Sequence, residues 1–201
     1  INNFQQQIVV NSDSSLNVKE TIVYNFGDEF KHGIYRDIPI RYNRNSLAYN
    51  LRISGVSVKD ESGIDYAFQK SSVDNQLRLK IGDADKTITG IKTYIISYKV
   101  ERAVNYFSDY DELYWNVNGF GWSVPIAEAG AQVIFSAELS SSQNFDLKCF
   151  EGSYGSAASC ERAAFIAKQG KTYVDFSSGN LLPGENLTIL LKIPKGTISQ
   201  P

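Results

Sequence analysis

Three acidic side chains lie close together in the segment SDYDELYW, namely Asp109, Asp111 and Glu112. Carboxylate pairs carry out glycoside hydrolysis as acid and base, and carboxylate oxygens also bind hard cations such as calcium. Nearby aromatic side chains offer flat faces for stacking on a ligand: Tyr106, Tyr110, Tyr114, Trp115 and Trp122. The segment therefore admits three chemical interpretations: a carbohydrate-active hydrolase, a calcium site and a non-catalytic groove for a glycan or peptide.

Geometry separates these interpretations from a purely structural one. A hydrolase needs two carboxylates facing each other across a cleft at roughly 5 to 10 Å. A glycan or peptide groove needs exposed aromatic rings, whereas fully buried Trp115 and Trp122 would favour a structural spacer. Acidic residues in turns are usually solvated and tryptophan usually packs in a core. We therefore expect no catalytic residue and treat the aromatic and acidic segment as a candidate ligand surface.

The other residues that could bind a metal or catalyse a reaction lack the partners that such a site needs. Asp83 and Asp85 resemble half of a calcium loop, but the remaining oxygen ligands are absent and a turn is the better interpretation. His32 has no partner at the spacing that a zinc site requires. The chain has no phosphate-binding glycine loop and no G-x-S-x-G nucleophile elbow. We expect neither a metal nor a cofactor.

Charge and hydropathy narrow the function classes further. The formal net charge is −2, and the 20 lysines and arginines are dispersed along the chain. Nucleic-acid binding needs a basic patch or stripe, which this pattern lacks. No apolar run approaches the roughly 20 residues that a membrane-spanning helix needs. Asn186-Leu187-Thr188 is formally a glycosylation acceptor, relevant only in a eukaryotic secretory pathway.

The two cysteines, Cys149 and Cys160, enclose the segment FEGSYGSAAS. An even number of cysteines around a Gly/Ser-rich loop indicates a disulfide, the alternative being two unpaired thiols in a core. Closing so short a loop stabilises a fold by about 3 kcal/mol in the chain-entropy model. A disulfide also indicates an oxidising compartment.

The elements that must position these residues are strands. Apolar residues alternate along many short segments, as at Leu16, Val18 and Ile22, and again from Leu187 to Ile193. Polar turns separate the segments, and the alternation changes phase at Gly55, which indicates a bulge. The segment from Val124 to Ala129 predicts at most a single helical turn. The prediction is an all-β, antiparallel β-sandwich of about ten to twelve strands with little helix. We expect residues 1–201 to form one domain, with two abutting sandwiches divided near residue 103 as the alternative.

Two charges share the buried face of their own strands. Glu20 alternates with the apolar residues of one strand, and Arg36 alternates with Ile34, Ile38 and Ile40 of the next. Because an isolated buried ion is costly, such groups are usually paired. We expect Glu20 and Arg36 to meet as a structural ion pair, on the expectation that their consecutive strands pair with each other. The alternatives are a perturbed catalytic acid at Glu20 and a solvated position at a strand edge.

Five segments in this order resemble a bacterial family of predicted membrane proteins, at its N-terminal extracellular region (domain of unknown function 2207). They are SLNVKETIVYNF, HGIYRDIP, TYIISYKVERAV, DELYWNVNGFGWSVPI and LLPGENLTILLKIPKG. The resemblance implies a signal peptide before this region, transmembrane helices after it, and a location on the extracellular side of the bacterial cytoplasmic membrane. The family has no established catalytic residue to carry over.

These observations predict a general class of function without naming a particular ligand. We expect a non-catalytic binding or sensing domain whose partners are its own transmembrane region and a glycan or protein ligand at the cell surface. The alternatives are a structural spacer or assembly domain, and a carbohydrate-active hydrolase using Asp109, Asp111 or Glu112. The sequence leaves the oligomeric state open.

Overall fold

The chain folds into strands, as a computed structural model shows for residues 1–44, 47–136, 139 and 146–200. These residues form seventeen strands and no helix, which confirms the all-β class. The first nine strands are β1 Asn3–Val10, β2 Leu16–Asn25, β3 Gly33–Pro39, β4 Arg41–Arg44, β5 Leu47–Asn50, β6 Arg52–Lys59, β7 Phe68–Val73, β8 Gln76–Gly82 and β9 Ile91–Glu101. The others are β10 Val104–Tyr106, β11 Tyr110–Asn116, β12 Ile126–Phe135, β13 Leu147–Gly152, β14 Ala158–Ser159, β15 Arg162–Lys168, β16 Lys171–Leu181 and β17 Asn186–Pro194.

The number of strands exceeds the expected ten to twelve. Four of them, β4, β5, β10 and β14, have only two to four residues each. A strand this short shows no alternation that a sequence pattern could detect. The expected helical turn at Val124 to Ala129 is also wrong, because β12 begins at Ile126 and continues as a long central strand.

One layer of the fold is a seven-stranded sheet in the order β15-β16-β12-β1-β2-β9-β6. Its strands pair antiparallel except for β1 and β12, which are parallel. The expectation of a purely antiparallel arrangement therefore needs this correction. Because β1 and β12 are neighbours, strands from both sides of residue 103 share the sheet; the number of domains itself stays a prediction.

The buried face of this sheet follows directly from the alternation in the sequence. In β2, Leu16, Val18, Glu20 and Ile22 are buried, while Asn17 and Lys19 between them are exposed. Successive side chains of a strand point to opposite faces, so a period of two places all the apolar ones on one face. Full burial of each large aliphatic side chain contributes about 1.5–3 kcal/mol.

A second layer covers that face in two pieces. One piece is a five-stranded sheet in the order β10-β11-β17-β13-β14, and the other is a three-stranded sheet in the order β3-β8-β7. Trp115 of β11 donates to Gln6 of β1, and Arg36 of β3 donates to Glu20 of β2. Both pieces therefore pack on the same face of the large sheet. The short β4–β5 hairpin is a separate two-stranded sheet, and Tyr42 of β4 contacts Asn116 of β11.

Gly55 marks an irregularity at the edge of the large sheet. The register between β6 and β9 shifts between Ser54 and Ser57. Gly55 adopts a φ of 63°, a conformation that glycine reaches without the steric cost that other residues have. The predicted bulge is confirmed.

Candidate functional site

Glu20 and Arg36 form a bidentate ion pair in the centre of the molecule. Arg36 Nε lies 2.7 Å from Glu20 Oε2, and Nη2 lies 2.8 Å from Oε1. The two side chains are 0% and 1% exposed. Burial lowers the pKa of Arg36, but the charge and hydrogen bonds of Glu20 outweigh it and the net pKa is raised. The guanidinium therefore stays charged.

The strands that carry this pair are not neighbours, contrary to the sequence-based reason for expecting it. β2 pairs with β1 and β9, whereas β3 pairs with β8 in the other layer. The two charges meet across the interface between layers. The pair therefore fixes how the three-stranded sheet sits on the seven-stranded sheet, and it does not set the register of a β2–β3 hairpin.

Both side chains of the pair have further hydrogen-bond partners. Glu20 Oε1 also accepts from Tyr98 Oη at 2.6 Å and from Gln6 Nε2 at 2.8 Å. Arg36 donates to the backbone oxygens of Asp37, Val117 and Asn118. Burial raises the pKa of the Tyr98 phenol well above its ordinary value, and the negative charge of Glu20 adds to the effect. Buried ions are tolerated when their hydrogen bonds are complete, as they are here.

The two tryptophans of the aromatic and acidic segment are buried, and so they do not contribute to the ligand surface expected from the sequence. Trp115 is 2% exposed and Trp122 is 8% exposed, and both belong to the core. Trp122 donates to the backbone oxygen of Asn118, and it packs edge-on against Phe4. Tyr106 and Tyr110 are only partly exposed, each beside a lysine. The two tryptophans therefore cannot stack on a ligand.

The three carboxylates also fail the geometric requirement for a glycosidase. Asp109 is exposed in the turn before β11. Asp111 is buried and binds Lys195 Nζ. Glu112 is buried as well, but it follows Asp111 directly in a strand, so the two side chains project to opposite faces. Asp111 and Glu112 therefore do not form a pair facing one another across a cleft, which is the arrangement that the hydrolase interpretation needs.

The remaining sequence candidates occupy ordinary structural positions. Asp83 accepts a hydrogen bond from the backbone of Asp85 in a turn, and His32 Nδ1 lies 3.0 Å from the backbone oxygen of Lys86. In the part of the chain that the structure describes, no three His, Cys, Asp or Glu side chains cluster in a way that would hold a metal. The described residues also contain no apolar helix of membrane-spanning length.

A groove of about 490 Å³ opens on the outer face of the five-stranded sheet. Its floor includes a row of register partners across three strands: Asn116 of β11, Thr188 of β17 and Phe150 of β13. Tyr114 lies two residues before Asn116 on the same face. Pockets that bind small molecules have volumes of about 300–1,000 Å³, so the groove is of a suitable size.

A loop closed by the disulfide forms one wall of the groove. Cys149 and Cys160 are bonded, with Cα atoms 5.4 Å apart. The loop between them contributes Gly152 to Ser156 to the lining. Gly152 has a φ of 114°, and an added Cβ would lie 2.9 Å from Ser156 Oγ. Only glycine fits there, so the sequence of the loop specifies its compact shape.

The rim of this wall carries an aromatic pair, of which Tyr154 is exposed and Phe120 is half-buried. The Tyr154 side chain is 90% exposed, and its ring contacts Phe120 edge-on with centroids 5.7 Å apart. Large aromatic side chains are usually buried, because exposing them forgoes the hydrophobic free energy. Such a pair at the edge of a groove is a candidate ligand contact.

The opposite wall comes from the end of β3 and the start of β4. It includes Pro39, Arg41 and Tyr42. Tyr42 stacks on Tyr49 of β5 at 5.6 Å, and its phenol hydrogen-bonds the backbone of Asn116. Burial raises the pKa of Tyr42 above its ordinary value, so the phenol stays neutral. The contact with Asn116 ties this wall to the floor.

A chain of hydrogen bonds fixes the polar groups of the floor. The backbone N–H of Gly119 donates to Asn186 Oδ1 at 2.6 Å. Asn186 Nδ2 must then act as a donor, and it donates to Thr188 Oγ1 and to Asn116 Oδ1. Thr188 Oγ1 donates to the same Asn116 oxygen. Since Asn186 is buried and its amide is used, it is not available as a glycosylation acceptor in the folded domain.

Sequence reasoning found only one residue of this groove, Tyr114. Apart from Asn116 and Phe120, which follow Tyr114 closely, the others lie in separate segments. Of these, Tyr154 carries a local signal, as an aromatic residue within a Gly/Ser loop between two cysteines. Asn116, Phe150 and Thr188 become neighbours only through strand pairing. A linear pattern gives no distance between β11, β13 and β17.

Solved structures with the same fold include a zinc metallopeptidase and a hydrolase, both longer than this chain. An M1 zinc metallopeptidase from Deinococcus radiodurans superposes with a TM-score of 0.54 at 9% identity, over 96% of this chain and 42% of the peptidase. Leukotriene A4 hydrolase from Saccharomyces cerevisiae superposes with a TM-score of 0.50 at 10% identity, over 96% of this chain and 28% of the hydrolase. This chain thus spans less than half the length of either protein, and the likeness concerns the fold alone.

No curated protein sequence matches the chain. A family profile does match it over residues 1–193, which is nearly the whole length and includes all seventeen strands except the last residue of β17. The description of that family is "Predicted membrane protein (DUF2207) N-terminal domain". The resemblance seen in the sequence segments is therefore confirmed, and the chain belongs to the DUF2207 family of predicted membrane proteins, of which it is the N-terminal domain.

Proposed function

We propose that this chain is a non-catalytic binding or sensing domain of a membrane protein, and that it binds its ligand in the groove on the five-stranded sheet. The observation that carries the proposal is the exposed Tyr154 ring, in contact with the half-buried Phe120, at the rim of a groove with a fixed polar floor. Binding sites combine aromatic surfaces with a few well-placed polar groups in this way.

The rigidity of the groove supports a binding role. The disulfide closes one wall, the Tyr42 phenol attaches the other wall to Asn116, and hydrogen bonds orient the floor amides. A site that is already ordered loses little conformational entropy when a ligand binds. A surface without a ligand gives no reason for the position of Tyr154, because its side chain stays 90% exposed and forgoes the free energy of burial.

The proposal carries no peptidase activity over from the structural neighbours. A catalytic zinc is held by three protein ligands, and the described residues offer no group of three side chains suited to a metal. The positions of Asp109, Asp111 and Glu112 likewise provide no acid–base pair. A binding domain requires neither.

The disulfide supports a location on the extracellular side of the membrane. Disulfides persist in oxidising compartments and are rare in the cytosol. The family description places the domain in a membrane protein. We therefore place the groove outside the cytoplasm, where cell-surface and external ligands are accessible.

A structural or assembly role is the second candidate. It is favoured by the burial of Trp115 and Trp122, which leaves those rings with a packing role alone. The same fold covers 42% of the Deinococcus radiodurans peptidase and 28% of the yeast hydrolase, so in those proteins it is one part of a longer chain. In that case the domain would bind no small ligand.

A thermal-shift screen of the purified domain against oligosaccharides, peptidoglycan fragments, peptides and divalent cations separates these candidates. A ligand at a hundred times its dissociation constant adds about 2.7 kcal/mol to the stability of the folded state. We expect a shift that the Tyr154→Ala variant loses. The matched control is Tyr35→Ala, which changes a tyrosine that is 56% exposed on the three-stranded sheet. No shift with any member of the panel would favour the assembly role.

A further inference from the structure

We infer that the ligand of this groove is a neutral carbohydrate chain, an inference that rests on the proposed binding function and names its ligand class. Three properties of the groove lead to it: its balanced charge, its aromatic surfaces beside fixed amides, and the shortness of the unpaired strand edge along its floor. The charge counts against an anionic ligand, and the short edge counts against a peptide that binds as a strand.

The charge of the groove favours a neutral ligand. Among the described residues that line it, the charged ones are Arg41 and Glu151, of opposite sign. Glu151 is already engaged, since its carboxylate accepts a hydrogen bond from Ser178. Recognition of a phosphate or a polyanion needs several cationic groups, usually arginines with both sides of the guanidinium free. A single arginine opposite a carboxylate does not provide that.

The aromatic groups match the shape of a sugar ring. A pyranose has faces made of C–H groups and an edge made of hydroxyls, so it needs flat apolar surfaces beside hydrogen-bonding groups. Tyr154 and Phe120 form one aromatic surface at the rim, and Phe150 forms another on the floor. The C–H faces of the sugar would lie against these rings, whose π faces carry a negative quadrupole charge that attracts C–H groups.

The floor presents one hydrogen-bond donor group, the Asn116 amide, in a fixed orientation. Because Asn116 Oδ1 accepts from both Asn186 and Thr188, the side chain is held with its Nδ2 group directed away from them. Within the described part of the chain, that Nδ2 group has no hydrogen-bond partner, although Asn116 lines the groove. A sugar hydroxyl accepts from such a donor. An amide held by its neighbours discriminates between hydroxyl positions better than a mobile one.

An extended peptide fits the same groove less well. Peptides that bind to sheets usually add as a strand to an open edge, so that main-chain hydrogen bonds supply the affinity. Among the described strands under the groove, β17 is paired on both sides, and β14 pairs with β13 at Phe150 and Glu151. β10 pairs with β11 only from Asp111 to Leu113, and beyond it the Tyr42 phenol hydrogen-bonds the backbone of Asn116, so the edge that remains is too short for an added strand. The groove therefore offers isolated side-chain groups and rings, which suit a sugar.

The experiment is a titration calorimetry series with the whole domain and four probes. The neutral probes are oligosaccharides of glucose and of N-acetylglucosamine; the comparison probes are an oligogalacturonate, which is acidic, and an uncharged extended peptide. We expect a neutral oligosaccharide to bind. Tyr154→Ala should weaken that binding by about tenfold and Tyr154→Phe by about twofold at most, because the ring supplies the contact. Tyr35→Ala should leave it unchanged.

The outcomes distinguish the ligand class from the proposed function. Binding of the peptide or the acidic oligosaccharide alone, with the same dependence on Tyr154, would overturn the carbohydrate inference and leave the binding function standing. Equal binding of a neutral sugar by the wild type and Tyr154→Ala would place it outside the groove and overturn the inference. If none of the probes and nothing in the wider screen bound, both the inference and the proposed function would be wrong. Tyr154 is exposed, so the variants are expected to fold.

Discussion

At the scale of single residues, the ion pair and the groove are two ends of one polar network. Arg36 donates to the backbone oxygen of Asn118. Asn118 in turn accepts from the backbone of Leu187 and donates to the backbone of Glu185, which holds the start of β17. Gly119 next to it fixes Asn186 on the groove floor. Hydrogen bonds of the segment 117–119 therefore connect the buried ion pair to the floor of the groove.

The first prediction concerns this buried charge. Glu20→Gln removes the carboxylate and leaves the Arg36 guanidinium buried without a counter-ion, which costs about 3–5 kcal/mol. Chemical denaturation monitored by circular dichroism measures the loss as a lower free energy of unfolding. The double variant Glu20→Leu with Arg36→Met leaves no unpaired charge, so its cost should be smaller than the sum of the two single changes.

An exposed ion pair provides the control. Lys31 and Glu29 also approach to 2.8 Å, but their side chains are 53% and 72% exposed. Water screens such a pair, and Lys31→Met should therefore change the free energy of unfolding far less than Glu20→Gln. Equal effects of the two substitutions would contradict the structural role assigned to Glu20 and Arg36.

At the scale of elements, the hairpin of β13 and β14 combines a constraint with a binding surface. The disulfide joins its ends, β13 pairs with β17 in the sheet, and the loop between them forms the wall that carries Tyr154. Cys149 is buried, whereas Cys160 is only partly covered. The covalent link therefore connects the core of the molecule to an exposed functional loop.

The second prediction is that this link matters for stability. Replacing both Cys149 and Cys160 with alanine should lower the free energy of unfolding by about 3 kcal/mol, since the unfolded chain regains the entropy of an open loop. A reductant should destabilise the wild type to a similar extent in the same denaturation assay. It should have no effect on the alanine variant, which serves as its control. Detection of two free thiols in the native, unreduced protein would contradict the assigned disulfide.

At the scale of the whole molecule, the two-layer packing buries tyrosines together with the aliphatic core. Burial is the largest cause that raises the pKa of five phenols above the ordinary value of 10.0: Tyr24, Tyr42, Tyr66, Tyr94 and Tyr98. Their neutral forms are favoured in the folded state. The raised pKa values contribute stability that is fully present below pH 10 and is lost as the pH rises through the folded-state values.

The third prediction follows from the upward direction of these pKa shifts. In an alkaline titration, the phenols of Tyr42, Tyr94 and Tyr98, whose pKa values burial raises most, should ionise only as the domain unfolds, at a pH above 10. Part of the rise in tyrosinate absorbance should therefore coincide with the loss of strand signal in circular dichroism. Tyr94→Phe, which removes one of these phenols, should reduce that part of the rise. Ionisation of these three phenols with the strands still intact would contradict the burial described here.

Much of the fold was predictable because it depends on short-range alternation. The period of two in β2, β9 and β17 identifies strands and their buried faces, and the same period places Glu20 and Arg36 on those faces. The phase change at Gly55 predicted a bulge correctly. The groove was not predictable, because its floor joins residues from β11, β13 and β17, which only long-range pairing brings together.

The amino-acid sequence by itself determined that the chain is all-β and belongs to its family, and it indicated that two charges are buried and two cysteines are close. These properties follow from alternation, residue type and order along the chain. Tertiary structure decided that the charges meet across two layers, that Trp115 and Trp122 are buried, and that Tyr154 stands over a groove. The physical reason is that alternation fixes which face of a strand is buried, whereas hydrogen bonding between distant strands fixes what that face meets.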